Sequence, residues 1–227
     1  MKSVFLQSAV MVVFGLFLSV AAAAALWQES SPYISGSGTV TDRMRNIING
    51  TRELGMATKT QQGLLKDCQA SIGTFAEAYL TPDDRGVLRQ NCLNAAKTIV
   101  AATPASSYSW ALLAYLSGRE GDFKARDDAL IMSEATGPSE LWIADLRIKI
   151  AEMSLDKLSD DGRKAYDADL RLMVQGRVGL ASIAKRYVDD PAFRERITGI
   201  VETLPPQNQA WFVQNVRSAV AQKGATQ

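Results

Sequence analysis

Eight carboxylates of this chain stand in four adjacent pairs, Asp83-Asp84, Asp127-Asp128, Asp160-Asp161 and Asp189-Asp190, and two carboxyl groups in one site can divide acid and base work. Their settings argue for a structural role. Asp83-Asp84 follows Thr81-Pro82, Asp160-Asp161 follows Ser159, and Asp189-Asp190 precedes Pro191. Three pairs therefore fall at helix starts, where carboxylates stabilise unpaired N–H groups and the positive end of the dipole. Asp127-Asp128 lies between Arg126 and the apolar Ala129-Leu130, which assigns it to the solvated face of its helix. Ser182 and Lys185 have the Ser-x-x-Lys spacing of a hydrolase dyad, but in mid-helix, where the lysine points to water. Gly118-Arg119-Glu120-Gly121-Asp122 lacks phosphate-loop spacing and follows a helix, so it reads as a turn. Trp110, Trp142 and Trp211 could line a ligand groove; on amphipathic helices they read first as core. The chain has no histidine, hence neither the commonest general base near neutral pH nor the commonest transition-metal ligand. The expectation is a protein without catalytic residues, metal or cofactor.

Charge narrows the partners. With 25 Lys+Arg against 24 Asp+Glu the formal charge is +1, which supplies no field for nucleic acid or an anionic surface. Val4 to Leu26 carries no charge, and its 23 residues suffice for a helix crossing a hydrocarbon core of ~30 Å. Lys2 before it and Glu29 after it orient the N-terminus to the cytoplasm and everything after Trp27 outside. The segment is either a membrane anchor or a long signal peptide. Ala21 to Ala25 offers A-x-A cleavage patterns, while the length of the run and Trp27, placed as an interfacial aromatic, favour the anchor. Ser30 to Gly38 is small and polar and reads as a tether.

Beyond the tether, apolar residues recur at helical spacing and no strand pattern is found. The sequence divides into an anchor or signal (1–27), a tether with a weak helix starting at Thr41-Asp42 (28–57), a helical hairpin (58–103), a helical stack (104–222) and a disordered tail (223–227). In the hairpin, Leu64, Leu65, Cys68, Ile72, Phe75, Ala76 and Tyr79 form one stripe, and Val87, Leu88, Asn91, Cys92, Ala95, Ile99 and Val100 the other. Helices further on are predicted over 138–156, 160–174, 177–188, 191–203 and 206–222. Cys68 and Cys92 fall at similar heights on the facing stripes of an antiparallel pair, and in an exported protein such a pair reads as a disulfide; the alternative is two buried thiols acting as small hydrophobes.

From Pro104 the pattern sharpens. Pro104 and Pro138 are 34 residues apart, each opening a helix, with Trp110, Leu113, Ala114, Gly121, Asp122, Phe123, Ala129 and Leu130 between them. This resembles the tetratricopeptide repeat, apart from a small residue, Ala125, one position early in the second helix. Over residues 100 to 203, Ser133, Gly137, Pro138 and Glu140 form an S-x-x-x-G-P-x-E motif with Trp142 beside it and Arg147 downstream. That stretch looks like a group of helical, N-terminally anchored proteins of Gram-negative bacteria that occur with envelope polysaccharide synthesis and export. Arg147 could pair with Glu140 along its own helix or reach a neighbouring one.

The expected fold is all-α, a stack of helical hairpins of tetratricopeptide type on an N-terminal membrane or signal helix. The expected function is a non-catalytic scaffold binding a protein partner in an envelope assembly. Two alternatives stand beside it: a carboxylate-dependent envelope hydrolase or lyase, with two acids converging in a pocket, and a lipid or glycan carrier, with an apolar hollow between helices.

Overall fold

A computed structural model describes residues 2–225, with twelve α-helices and, among the described residues, no strand. The chain forms two compact units whose boundary falls at Ala95, inside the fifth helix.

The first unit begins with α1 (Lys2–Ser35), about 51 Å long at 1.5 Å per residue, whose apolar stretch is not buried in the protein and is long enough to cross a membrane. The segment read as a tether is helical as far as Ser35, because its far end is fastened. Arg52 donates from Nη1 to the Pro32 carbonyl at 2.6 Å, and the Asn46 side chain donates to the Ser35 carbonyl at 2.8 Å. The chain breaks only at Gly36–Gly38, where Gly38 adopts φ +91°. Helix α2 (Val40–Ile48) starts one residue ahead of the expected position, because Thr39 and Asp42 cap each other's backbone in a capping box.

Helices α3 (Thr58–Ser71), α4 (Phe75–Ala78) and α5 (Pro82–Ala102) replace the simple hairpin. The expected first helix ends at Ser71, in a turn that passes through Gly73, whose φ of +77° is open to glycine, and Glu77 accepts the Gly73 N–H at 2.7 Å. The stripe therefore ends at Ile72: Phe75 and Tyr79, assigned to the core, are 76% and 74% exposed and pack edge to face with each other. The core of this unit is Met44, Ile47, Leu64, Leu65, Cys68, Ile72, Leu88 and Cys92.

The second unit is more regular. Helices α6 (Ser107–Arg119), α7 (Phe123–Thr136), α8 (Leu141–Glu152), α9 (Asp160–Gln175), α10 (Arg177–Asp189), α11 (Pro191–Glu202) and α12 (Pro206–Ala225) follow with short turns, a 3₁₀ turn at Leu155–Lys157 among them. Helix α6 packs on α7 and α8, α9 on α7, α8 and α10, and α10 on α11 and α12. The starts of α6, α7, α9 and α11 are capped by the side chains of Ser106, Asp122, Ser159 and Asp190. Residues 223–225, read as tail, continue α12, with Lys223 bound to Asp189 at 2.8 Å; the rest of that tail lies outside the described residues.

Candidate functional site

The cysteines are joined, with Cα atoms 5.7 Å apart. Their register differs from the expected one. Cys68 lies in the last turn of α3 and Cys92 in mid-α5, so the bond ties a helix end to a helix middle.

The repeat-like residues divide by environment. Leu113 and Ala114 are buried in α6, and Gly121 forms the α6–α7 turn at φ +78°. Pro104 and Pro138 each precede a helix, and the Trp110 indole N–H donates to the Pro104 carbonyl at 2.8 Å. Trp142 departs from its expected place in the core. In the first turn of α8 it is 59% exposed, its ring centroid 5.4 Å from that of Tyr108, which is itself buried and whose hydroxyl burial pushes up to about 12. Trp211 is half-buried and lines a cleft of about 350 Å³ with Arg177, Leu180, Gln214, Asn215 and Ser218.

Ser133 and Gly137 of the S-x-x-x-G-P-x-E motif meet Arg147 in one buried cluster, whereas Pro138 and Glu140 of the motif are exposed. Arg147, 1% exposed, crosses from α8 to α9 and grips Asp169 with Nε at 2.8 Å and Nη2 at 2.5 Å. Its Nη1 donates to the carbonyls of Ser133 at 3.2 Å and Gly137 at 3.3 Å and to the Ser107 hydroxyl at 3.2 Å. Ser107 and Ser133 each donate their hydroxyl to the other's carbonyl, at 2.7 and 2.8 Å. Gly137 is required by close approach, since a Cβ there would lie 2.6 Å from Ser107 Cβ. Of Arg147's two sequence options, the neighbouring helix is the one taken. With its three nitrogens engaged and its side chain sealed, the guanidinium fixes α6, α7, α8 and α9 rather than meeting a ligand. Burial pushes the Asp169 carboxyl up to about 6, against the hydrogen bonds and charge of Arg147, with Glu134 adding a smaller upward effect.

A second knot corrects the reading of Asp127. This residue is 4% exposed, accepts from Arg126 Nε at 2.8 Å, and accepts the Ser159 N–H at the start of α9 at 2.6 Å. Arg126, also buried, donates to the carbonyls of Ser154 at 3.1 Å and Lys157 at 2.9 Å. The missed signal is that Arg126 shares a helix face with Ala129, Leu130 and Ser133, so its neighbour follows it inward. Asp128 does face solvent, bound to Lys124 at 2.6 Å. A third cluster links Tyr166 to Glu152 at 2.7 Å and Glu152 to Arg186.

The other acids stand apart as expected. Asp83 and Asp84 occupy the first turn of α5, Asp160 and Asp161 that of α9, and Asp190 caps α11. Hydrogen bonds from Lys164 and Lys223 hold Asp161 and Asp189 below the ordinary carboxylate range, the opposite of what a general acid needs. Ser182 and Lys185 are both exposed on α10. No family model, no curated protein and no solved structure matches this chain.

Proposed function

We propose that the chain is a membrane-anchored scaffold, its helical stack of tetratricopeptide type facing the periplasm and offering a surface to a protein partner in an envelope assembly, with polysaccharide synthesis or export as the system. The observation that carries this reading is Trp142. A tryptophan that is 59% exposed, backed by a buried tyrosine and mounted beside the Arg147 knot, is a rigid aromatic surface of the kind that anchors protein interfaces. The apolar α1 supports the anchor, and the Cys68–Cys92 bond supports an oxidising compartment. The tetratricopeptide character rests on Pro104, Trp110, Leu113, Ala114, Gly121 and Pro138, and on helices that pack on their chain neighbours.

The test is in-membrane photocrosslinking from residue 142. Capture of one discrete protein, abolished when the crosslinker is moved to exposed Lys149 on the same helix, is the expected result. Adducts to lipid or glycan alone would overturn the reading in favour of a carrier.

A further inference from the structure

The junction between α1 and the rest of the first unit holds an arrangement that the scaffold reading does not use. Glu29 stands two residues past Trp27 and three past Leu26, the last residue of the 23-residue apolar run. Its carboxylate reaches across to the loop before α3. Oε2 accepts the N–H groups of Met56 and Ala57, each at 3.0 Å, and Oε1 accepts the Thr60 hydroxyl at 3.0 Å. Gly55 is pressed against the same side of α1, since a Cβ there would lie 3.1 Å from Pro32 Cγ. Residues 55–57 are thus fixed beside α1 at the level of Glu29 to Pro32.

That level can be placed relative to a bilayer. Helical rise puts Glu29 about 4.5 Å and Pro32 about 9 Å beyond Leu26 along the axis. The headgroup region on each side of a ~30 Å hydrocarbon core is about 5–8 Å deep. The loop therefore lies within or against that layer. The side chains presented there are apolar or amphipathic and open: Leu26 is 71%, Trp27 69% and Met56 55% exposed. Lys59, also exposed, follows in the first turn of α3, where an ammonium can meet lipid phosphate.

We propose that the Gly55–Ala57 loop, held against α1 by Glu29, is a second membrane contact that lays Met56 in the headgroup layer of the bilayer crossed by α1. The occupant is the lipid surface, because the exposed loop is continuous with the apolar face of a helix whose own partner is lipid. The inference rests on α1 being a retained anchor. Its consequence is orientation: one spanning helix leaves a domain free to swing, whereas a second contact fixes which side of the first unit faces the membrane.

The experiment uses the full chain in phosphatidylcholine–phosphatidylglycerol vesicles. Both native cysteines are bonded to each other, so Met56→Cys introduces a single free thiol for an environment-sensitive fluorophore. Gly15→Cys, a position with open space around it, gives a reference label inside the span of α1. The label at 56 should be quenched by spin-labelled headgroups and should show a severalfold lower iodide quenching constant than free dye. Adding Glu29→Ala should return iodide access towards that of the free dye while helicity and the mapped disulfide stay unchanged. A label at 56 as open to iodide as free dye, with the label at 15 quenched by deep acyl-chain spin labels, would overturn the loop contact and leave the anchor standing. No lipid quenching at 15 would overturn both. Unchanged iodide access after Glu29→Ala would remove Glu29 from the proposal.

Discussion

The two units solve the same problem with different chemistry. In the first, helices of very unequal length, from four residues in α4 to 34 in α1, enclose few apolar side chains, and a covalent bond joins α3 to α5. In the second, regularly packed helices enclose many apolar side chains, and the fixed points are buried ion pairs, Arg126–Asp127 and Arg147–Asp169. A disulfide acts mainly on the unfolded chain, narrowing its freedom. A buried ion pair acts on the alternatives to the native packing: it adds little net stability over apolar residues, yet penalises any arrangement that parts the charges. The first unit is limited by how little it can bury, the second by how many ways similar helices can stack.

The largest effect expected from breaking this contrast is at Arg147. Arg147→Ala leaves Asp169 buried without its partner and should cost about 3–5 kcal/mol, read as lost protection of α6 to α9 in segment-resolved hydrogen exchange. Replacing both partners, Arg147→Met with Asp169→Leu, should regain most of that loss. If the double variant is as unstable as the single one, the pair contributes stability outright, and the contrast with the disulfide fails.

Next comes the staple. Cys68→Ser with Cys92→Ser frees a 24-residue separation and should lower stability by about 3 kcal/mol. The same exchange experiment should confine that loss to the first unit. Equal loss of protection in α8 and α9 would show that the two units do not unfold separately.

The pH response is smaller. The Asp169 carboxyl titrates at about 6 in the folded chain and at about 3.9 when unfolded, so the folded state binds this proton more tightly. The contribution is fully present below about pH 4 and lost as pH rises through 6, amounting to at most about 3 kcal/mol. The second unit should therefore gain stability as pH falls from 7 towards 5, and Asp169→Asn should flatten that slope. A wild-type curve that falls over this range would mean that Arg147 outweighs burial.

Smallest is Trp142→Ala. An exposed side chain touching one ring should cost no more than about 1 kcal/mol, so the melting temperature should barely move while crosslinking to a partner disappears. A large drop in melting temperature would return Trp142 to the core role that its sequence pattern suggested.

Much of this was open to the sequence. The helices of the second unit fall within a few residues of their predicted limits, because Ser159, Asp190 and the prolines mark boundaries by local chemistry alone. The buried charges are also legible in the pattern. Arg147 shares a helix face with Ile143, Ala144 and Ala151, and Asp169 one with Tyr166 and Met173, all of them buried. Opposite charges on the apolar faces of successive helices have few places to go except to each other. The ends of the first unit were not legible. Glycine at 73 breaks a stripe that continues in sequence, and Ser30 to Ser35 looks flexible in isolation but is held as helix by Arg52 and Asn46 from beyond it. Trp142 was misplaced for a related reason: periodicity assigns a face, and whether another helix covers that face is a tertiary fact.

The knot around Arg147 has a consequence for descent. Its members are separated by 26 residues from Ser107 to Ser133, 14 from Ser133 to Arg147 and 22 from Arg147 to Asp169. Apolar positions in a helical stack can exchange Leu, Ile, Val and Met freely, so kinship written in them fades quickly. These polar positions, with a glycine at 137 where any side chain would collide, cannot drift one at a time. Lineages that keep this packing should inherit the set whole or lose it whole, which makes these intervals a more durable mark of ancestry than the length or composition of any helix they join.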